Sequence, residues 1–290
     1  EEARLTVVAD VKIAFYHLIL AQQDADLAKQ NLRTVQEVAD VVQAKVSTGE
    51  ASRFEAIKAT VEVQKARKEV DRTENALIVA RAKLDLLTGK ALGPRFTIRG
   101  EFASIPPVVD QQALIARAVE RHPVIRRQQK LIEQANAQVA YERAARVPNV
   151  SVQGQYHREA GDESVTAGLS VPIPIWYRRQ GEIAVALGAQ RRAESERTRV
   201  QNELEQAVTQ HVQEVQTAQG QIRVFEQGLL KQAKEALDIA QFSFRHGTAN
   251  LLDVLDAQRV YRQTLLEHAQ ARADLSIALA HLDRAIGELP

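Results

Sequence analysis

There is no cysteine among the 290 residues, so disulfides, thiolate metal ligands and a cysteine nucleophile are excluded. Aromatic residues reach only 4%, too few for a thick globular core. No apolar run approaches the roughly 18 residues of a membrane-spanning helix. Charge of one sign is lacking as well. A net charge of +1 supplies no field to gather nucleic acid, so no such partner is expected, and Arg178-Arg179 and Arg191-Arg192 read as solvated or interfacial. Methionine is absent and the chain opens on Glu1 inside a helical pattern, so the expectation is an N-terminus that has been processed or cut away. HExxH, a Gly-rich phosphate loop and a GxSxG elbow are all missing. The histidines His17, His122, His157, His211, His246, His268 and His281 lack metal-ligand spacing and read as exposed or capping residues. No enzymatic activity, metal site or cofactor is expected.

What is present is Ala, Leu and Val interleaved with Glu, Gln, Arg and Lys, the mixture of long helices lying side by side. Glu2 to Val46 contains neither proline nor glycine and reads as one helix. Ser47 to Ser52 breaks it, and a second helix runs from Arg53 to Thr88, stopped by Gly89. A 44-residue helix is about 65 Å long. Residues 90–122 form an irregular linker with Gly93-Pro94, Gly100 and Pro106-Pro107, and a short helix occupies 123–146. From Arg178 a helix of about 100 Å is expected to reach Arg245. Gly247 breaks it, and a last helix runs from Ala249 to Ile286.

Between the helices, in 147–177, the period changes to two. Val150, Val152, Gly154 and Tyr156 alternate with Ser151, Gln153, Gln155 and His157. After Ala160-Gly161-Asp162-Glu163, Val165, Ala167, Leu169, Val171 and Ile173 alternate with Ser164, Thr166, Gly168, Ser170 and Pro172. This is a strand hairpin with one apolar and one polar face. Strands of nine or ten residues suit a tilted membrane barrel, and Tyr156, Trp176 and Tyr177 stand near strand ends where interfacial aromatics belong. A soluble hairpin packed on the helices is the other reading. Two strands cannot close a barrel, so the membrane reading requires oligomerisation.

The chain also repeats. A shift of 198 residues aligns the helix pair of 1–89 with that of 178–290 without a gap, matching Leu32 with Leu230, Glu37 with Glu235, Gly49 with Gly247, Leu84 with Leu282 and Gly89 with Gly287. The expectation is a duplicated helical hairpin, with a helix and strand hairpin upstream of the first copy. In the longest helix an apolar stripe runs Val200, Leu204, Val208, Val212, Val215, Ala218, Ile222, Phe225, Leu229, Ala233, Ala236, Ala240. Its period near 3.6 suits straight helices in a wall. Past the second turn, Asp253 and Asp256 share a helix face, and Glu55 is the aligned counterpart of Asp253. They read either as acidic rings of a symmetric tube or as first-turn partners of the helix dipole.

The run Phe244-Arg245-His246-Gly247-Thr248-Ala249-Asn250-Leu251-Leu252-Asp253-Val254-Leu255-Asp256-Ala257-Gln258 resembles the turn of outer-membrane efflux proteins of the TolC family. A weaker copy lies around Gly49 and Glu55, and the strand Val165–Ile173 leads through Pro172 and Pro174 into a long helix. The resemblance implies a mainly α chain, N-terminally truncated, whose helical hairpins form a trimeric α-barrel and whose strands join a transmembrane β-barrel. It implies a passive exit duct in the outer membrane, extending into the periplasm, with a periplasmic adaptor and an inner-membrane pump as partners. Gly49, Gly247 and Thr248 then belong to tips that meet the adaptor, and Asp253, Asp256 and Glu55 to the aperture. Val150, Val152, Tyr156, Val165, Ala167, Leu169 and Val171 would face lipid. Phe244 and Ala249 stand where the best-known member has its latching tyrosine and arginine. The strand-to-helix run is similar to the cation-efflux (CzcC-like) branch. A periplasmic adaptor or a coiled-coil scaffold remains the alternative; the first would show one helical hairpin and the second no amphipathic strands.

Overall fold

The computed structural model describes residues 1–93, 95–106, 110–173 and 175–288, so the loop prolines Pro94 and Pro107 and the strand-to-helix Pro174 lie outside the described residues. The chain divides into two compact units, Glu1–Ala118 with Gln206–Pro290, and Val119–Glu205.

In the first unit α1 (Glu2–Ser47) packs against both α2 (Arg53–Leu87) and α7 (Leu251–Ile286), and α7 packs in turn against α6 (Leu230–Arg245). The order of neighbours is therefore α2, α1, α7, α6. This central position explains the apolarity of α1, which buries Leu5, Ala9, Ala14, Leu18, Ile19 and Leu20. One of its 18-residue windows has a mean hydropathy of 1.4, enough by length and composition to cross a membrane. The apolarity is spread along the helix and interrupted by Asp10 and Lys12, so it forms no continuous apolar run. The helix also carries Lys12, paired with Asp283 of α7 at 2.8 Å.

The duplication extends to individual hydrogen bonds. At the first tip the N–H groups of Thr48, Gly49 and Glu50 donate to the carbonyls of Ala44, Val46 and Lys45. At the second, His246, Gly247 and Thr248 donate to Phe242, Phe244 and Ser243, each pair displaced by 198 residues. These bonds satisfy the last carbonyls of α1 and α6 and require a left-handed residue, which Gly49 (φ 80°) and Gly247 (φ 77°) supply. Across each tip the next helix opens with a capping box. Ser52 and Glu55 exchange bonds at the start of α2, as Asn250 and Asp253 do at the start of α7.

Three expectations need correction. The helix expected from Arg178 to Arg245 is α5 (Gln180–Val224), a π-helical turn at Phe225–Leu229, then α6; Gly228 inside that turn has φ 153°. Accordingly, the stripe is buried at Val200, Val208, Val212, Val215, Ala218 and Ile222, but Leu229 and Ala236 are exposed. Ala233, Leu237 and Phe244 carry burial onward. The linker 90–122 contains a helix, α3 (Gln111–Arg121), which Asp110 starts by accepting from the N–H groups of Gln112 and Ala113. Its neighbour α4 (Pro123–Ala144) is capped by His122, whose Nδ1 accepts from Val124 N at 3.2 Å.

The third correction concerns two histidines expected to be exposed or capping. His281 stacks on His211 at 5.1 Å and His268 leans on Phe225 at 5.7 Å, each with one ring nitrogen buried and unbonded. Burial pushes both imidazoles below their usual range.

Gly247→Val should destabilise the protein by about 1–2 kcal/mol, because a β-branched residue is strained at positive φ. Gly220→Ala, inside α5 with open space around its Cα, should stabilise by about 0.5–1 kcal/mol. Thermal unfolding followed by helical circular dichroism should show the two opposite signs.

Candidate functional site

The strands β1 (Ser151–Glu159) and β2 (Asp162–Ser170) pair antiparallel in full register. The turn is tighter than the four residues expected. Only Ala160 (φ 50°) and Gly161 (φ 100°) lie outside the ladder, both left-handed, which matches the right-handed twist of a two-residue hairpin. Asp162 and Glu163 are therefore strand residues opposite Glu159 and Arg158.

The register puts Val152 opposite Leu169, Gly154 opposite Ala167 and Tyr156 opposite Val165 on one face. Ser151 with Ser170, Gln153 with Gly168, Gln155 with Thr166 and His157 with Ser164 form the other. Val150 and Val171 lie just beyond the ladder. Every residue of both strands is exposed, so the described residues give the apolar face no protein cover. Beyond the strands the apolar surface continues through Val147, Ile173, Ile175 and Trp176, all exposed.

At the other candidate site, the paired tips, α1, α2, α6 and α7 meet in a cluster of Val42, Ala59, Phe244, Leu251 and Val254. Lys45, which the sequence did not single out, ties the tips together. Its Nζ donates to Phe244 O at 2.8 Å and lies 4.5 Å from the Phe244 ring centre. Gly49, Gly247 and Thr248 sit at the exposed turns, where Thr248 Oγ1 donates to Ser243 O at 3.1 Å.

The three acidic positions each have a local partner. Glu55 accepts from Ser52 N at 2.8 Å and Asp253 from Asn250 N at 3.0 Å, closing the two capping boxes. Asp256 pairs with Arg259 one turn on. A groove of about 580 Å³ beside it is lined by Lys58, Glu62, Lys65, Asp256 and Arg259, among others, so Asp256 faces cations as well as acids. Further from the tips, the Arg72 guanidinium holds the Glu69 carboxyl below its usual range. The capping signals Ser52-Arg53-Phe54-Glu55 and Asn250-Leu251-Leu252-Asp253 were available in the sequence.

Long helical hairpins in duplicate, with a two-faced strand hairpin that the described residues do not cover, define a duct-forming class of outer-membrane protein. The chain belongs to the outer membrane efflux protein family, whose sequence pattern matches residues 114–288. It is similar to the cobalt-zinc-cadmium resistance protein CzcC of Cupriavidus metallidurans, 26% identical over 96% of this chain and 67% of that protein. Against the cation efflux system protein CusC of Escherichia coli K12 the identity is 25%, covering 96% of this chain and 65% of the relative. A solved structure of CusC superposes with a TM-score of 0.85 at 19% identity, covering 99% of this chain and 70% of that one, which shows the shared fold. The chain thus spans about two thirds of the length of these curated relatives. Membership places the protein in the outer membrane, reaching into the periplasm.

Leu169→Arg, on the apolar face, should cost up to about 2–4 kcal/mol at the bilayer midplane and lower recovery in the outer-membrane fraction. Ser170→Arg, on the polar face, should be tolerated. Equal recovery would refute the assignment of faces.

Proposed function

We propose that the full protein is the exit duct of a tripartite efflux system, a homotrimer that conducts substrate passively from periplasm to exterior. The carrying observation is unequal burial in duplicated helices. Fourteen residues of α7 are buried against five of α2, although the two are aligned, capped alike and nearly equal in length. The difference follows from neighbours. Packed between α1 and α6, α7 is covered on two sides, whereas α2 packs along α1 and touches α7 only locally, through Ala59 near the tip and the Glu69–Arg262 pair. Phe54, Ile57 and Val61 of α2 are exposed, as are Ile239 and Phe242 of α6. Shifting the contact of α7 on α1 by one repeat turns it into α2 on the α5–α6 helix of another copy. Repetition of that contact closes a ring, and in the membrane the hairpin's apolar face meets lipid.

The relatives CzcC and CusC bear names of metal resistance and cation efflux, which supports a cation as the exported substrate. In this reading the tips at Gly49, Gly247 and Thr248 receive a periplasmic adaptor that couples the duct to an inner-membrane pump. Asp253, Asp256 and Glu55 line the periplasmic aperture. The capping bonds and Arg259 temper their charge, leaving a modest cation preference.

Ring closure is tested by cysteines placed where the repeat transfers the α1–α7 bond between Asn31 and Gln258 (3.2 Å), at Thr60 and Leu229. Thr60→Cys with Leu229→Cys, in a full-length background free of other cysteines, should be joined between chains by a short bismaleimide into dimers and trimers. Single variants should give none, and a monomer band alone would overturn the ring. The aperture is tested by single-channel recording. Asp253→Asn with Asp256→Asn should lower cation preference and weaken block by divalent cations while leaving assembly intact. Unchanged selectivity and block would reduce these residues to helix starts.

A further inference from the structure

The base of the strand hairpin concentrates arginine, and the duct reading makes no use of it. Around the ends of α4 and the start of α5, residues 141–147 and 175–182 contain Arg143, Arg146, Arg178 and Arg179 against Glu142 and Glu182. Both carboxylates are engaged. Two N–H groups of Arg179 reach Glu142 Oε2, at 2.9 and 2.5 Å, with Glu142 buried. Glu182 accepts from the Tyr177 hydroxyl. Arg179 is held by that ion pair in a left-handed backbone conformation, φ 59°, that a branched-chain or long residue adopts only under constraint. The bend carries Arg178 across to α4, where its carbonyl accepts from Arg146 Nε at 3.3 Å. Among the described residues no carboxylate lies within ion-pair distance of Arg143, Arg146 or Arg178, and all three are exposed.

The same patch is aromatic and apolar. Trp176 is 91% exposed, and Tyr141, Tyr177, Val147, Ile173 and Ile175 are exposed with it. The opposite end of the hairpin has the other sign, since Arg158 there stands against Glu159, Asp162 and Glu163. Three exposed guanidinium groups with no carboxylate partner among the described residues, beside exposed rings and aliphatic side chains, match one kind of surface. Phosphate meets guanidinium in forked hydrogen bonds, the rings lie at headgroup depth, and the aliphatic residues reach the acyl region.

We propose that Arg143, Arg146 and Arg178, with Trp176, form a collar that binds the phosphates of anionic phospholipids in the periplasmic leaflet of the outer membrane. Glu142 and Arg179 are positioning residues: their ion pair sets the bend that presents Arg178. The collar fixes the depth and orientation of the hairpin, because the basic end seeks phosphate and the acidic end does not. This inference rests on the membrane assignment of the hairpin.

The test uses the full-length protein in lipid nanodiscs of equal phosphatidylglycerol and phosphatidylcholine, with retained lipid counted by native mass spectrometry. Wild type should retain phosphatidylglycerol in preference. Arg143→Gln with Arg146→Gln and Arg178→Gln should lower that preference by on the order of fivefold per arginine. Arg191→Gln with Arg192→Gln removes charge about 17 Å further along α5 and should leave it unchanged. A triple variant with wild-type preference, or a control that falls as far, overturns the collar. Should the triple variant fail to assemble, wild type at about 0.5 M salt decides, since a screened phosphate contact must weaken there and an undiminished preference overturns the proposal. The hairpin assignment is read separately, by recovery of wild type in the outer-membrane fraction. Recovery there without headgroup preference overturns the collar alone.

Discussion

A two-stranded ladder pairs only its inner backbone groups, and the outer N–H and C=O groups of β1 and β2 find no partner in each other. In water such edges are solvated. In hydrocarbon each unpaired group costs several kcal/mol, so the hairpin can cross a bilayer only inside a closed set of strands. This constraint propagates through the molecule. A closed set needs strands beyond β1 and β2, and the proposed ring supplies them from neighbouring copies, each of which brings its helices with it. The exposed apolar residues of α2, among them Phe54, Ile57 and Val61, pose the same requirement in helices, and the proposed ring would satisfy both.

Much of this architecture was legible because it is written in periods and punctuation. The change from a period of 3.6 to one of 2 marked the hairpin, and the glycines at 49, 89, 247 and 287 marked the ends of equal helical arms. The offset of 198 then held down to single hydrogen bonds, since the same turn chemistry recurs at both tips. The acidic positions were legible as residues but not in role. A carboxylate three residues after Ser52 or Asn250 serves the backbone first, whatever it does for a passing ion.

Other features left weaker marks. Phe225-Glu226-Gln227-Gly228-Leu229 has an ordinary helical pattern but for Gly228, the one residue in it free to take φ 153°, and a lone glycine does not state that the turn will widen. The short α3 follows prolines, but Leu114, Ile115, Ala118 and Val119 recur at helical spacing, so its signal was there to be read. The hairpin turn is shorter than its sequence suggests, because Asp162 and Glu163 look like loop residues, whereas Ala160-Gly161 suffice once both adopt positive φ. The apolarity of α1 was spread over an amphipathic helix, so no continuous run drew attention to it.

The π-helical turn has a consequence for symmetry. In the proposed ring of three chains, duplication would give six nearly equivalent helical arms, and α1 keeps its regular winding throughout. Its counterpart does not, because the widened turn at Phe225–Leu229 re-aims everything between Gly228 and the second tip. Lys45 at one tip also faces no equivalent at the other, where Ser243 occupies the matching place. The six arms of the proposed ring would therefore alternate in two kinds. Any partner that caps the ring with six identical subunits must bind in two distinct ways, and a partner with three can choose one.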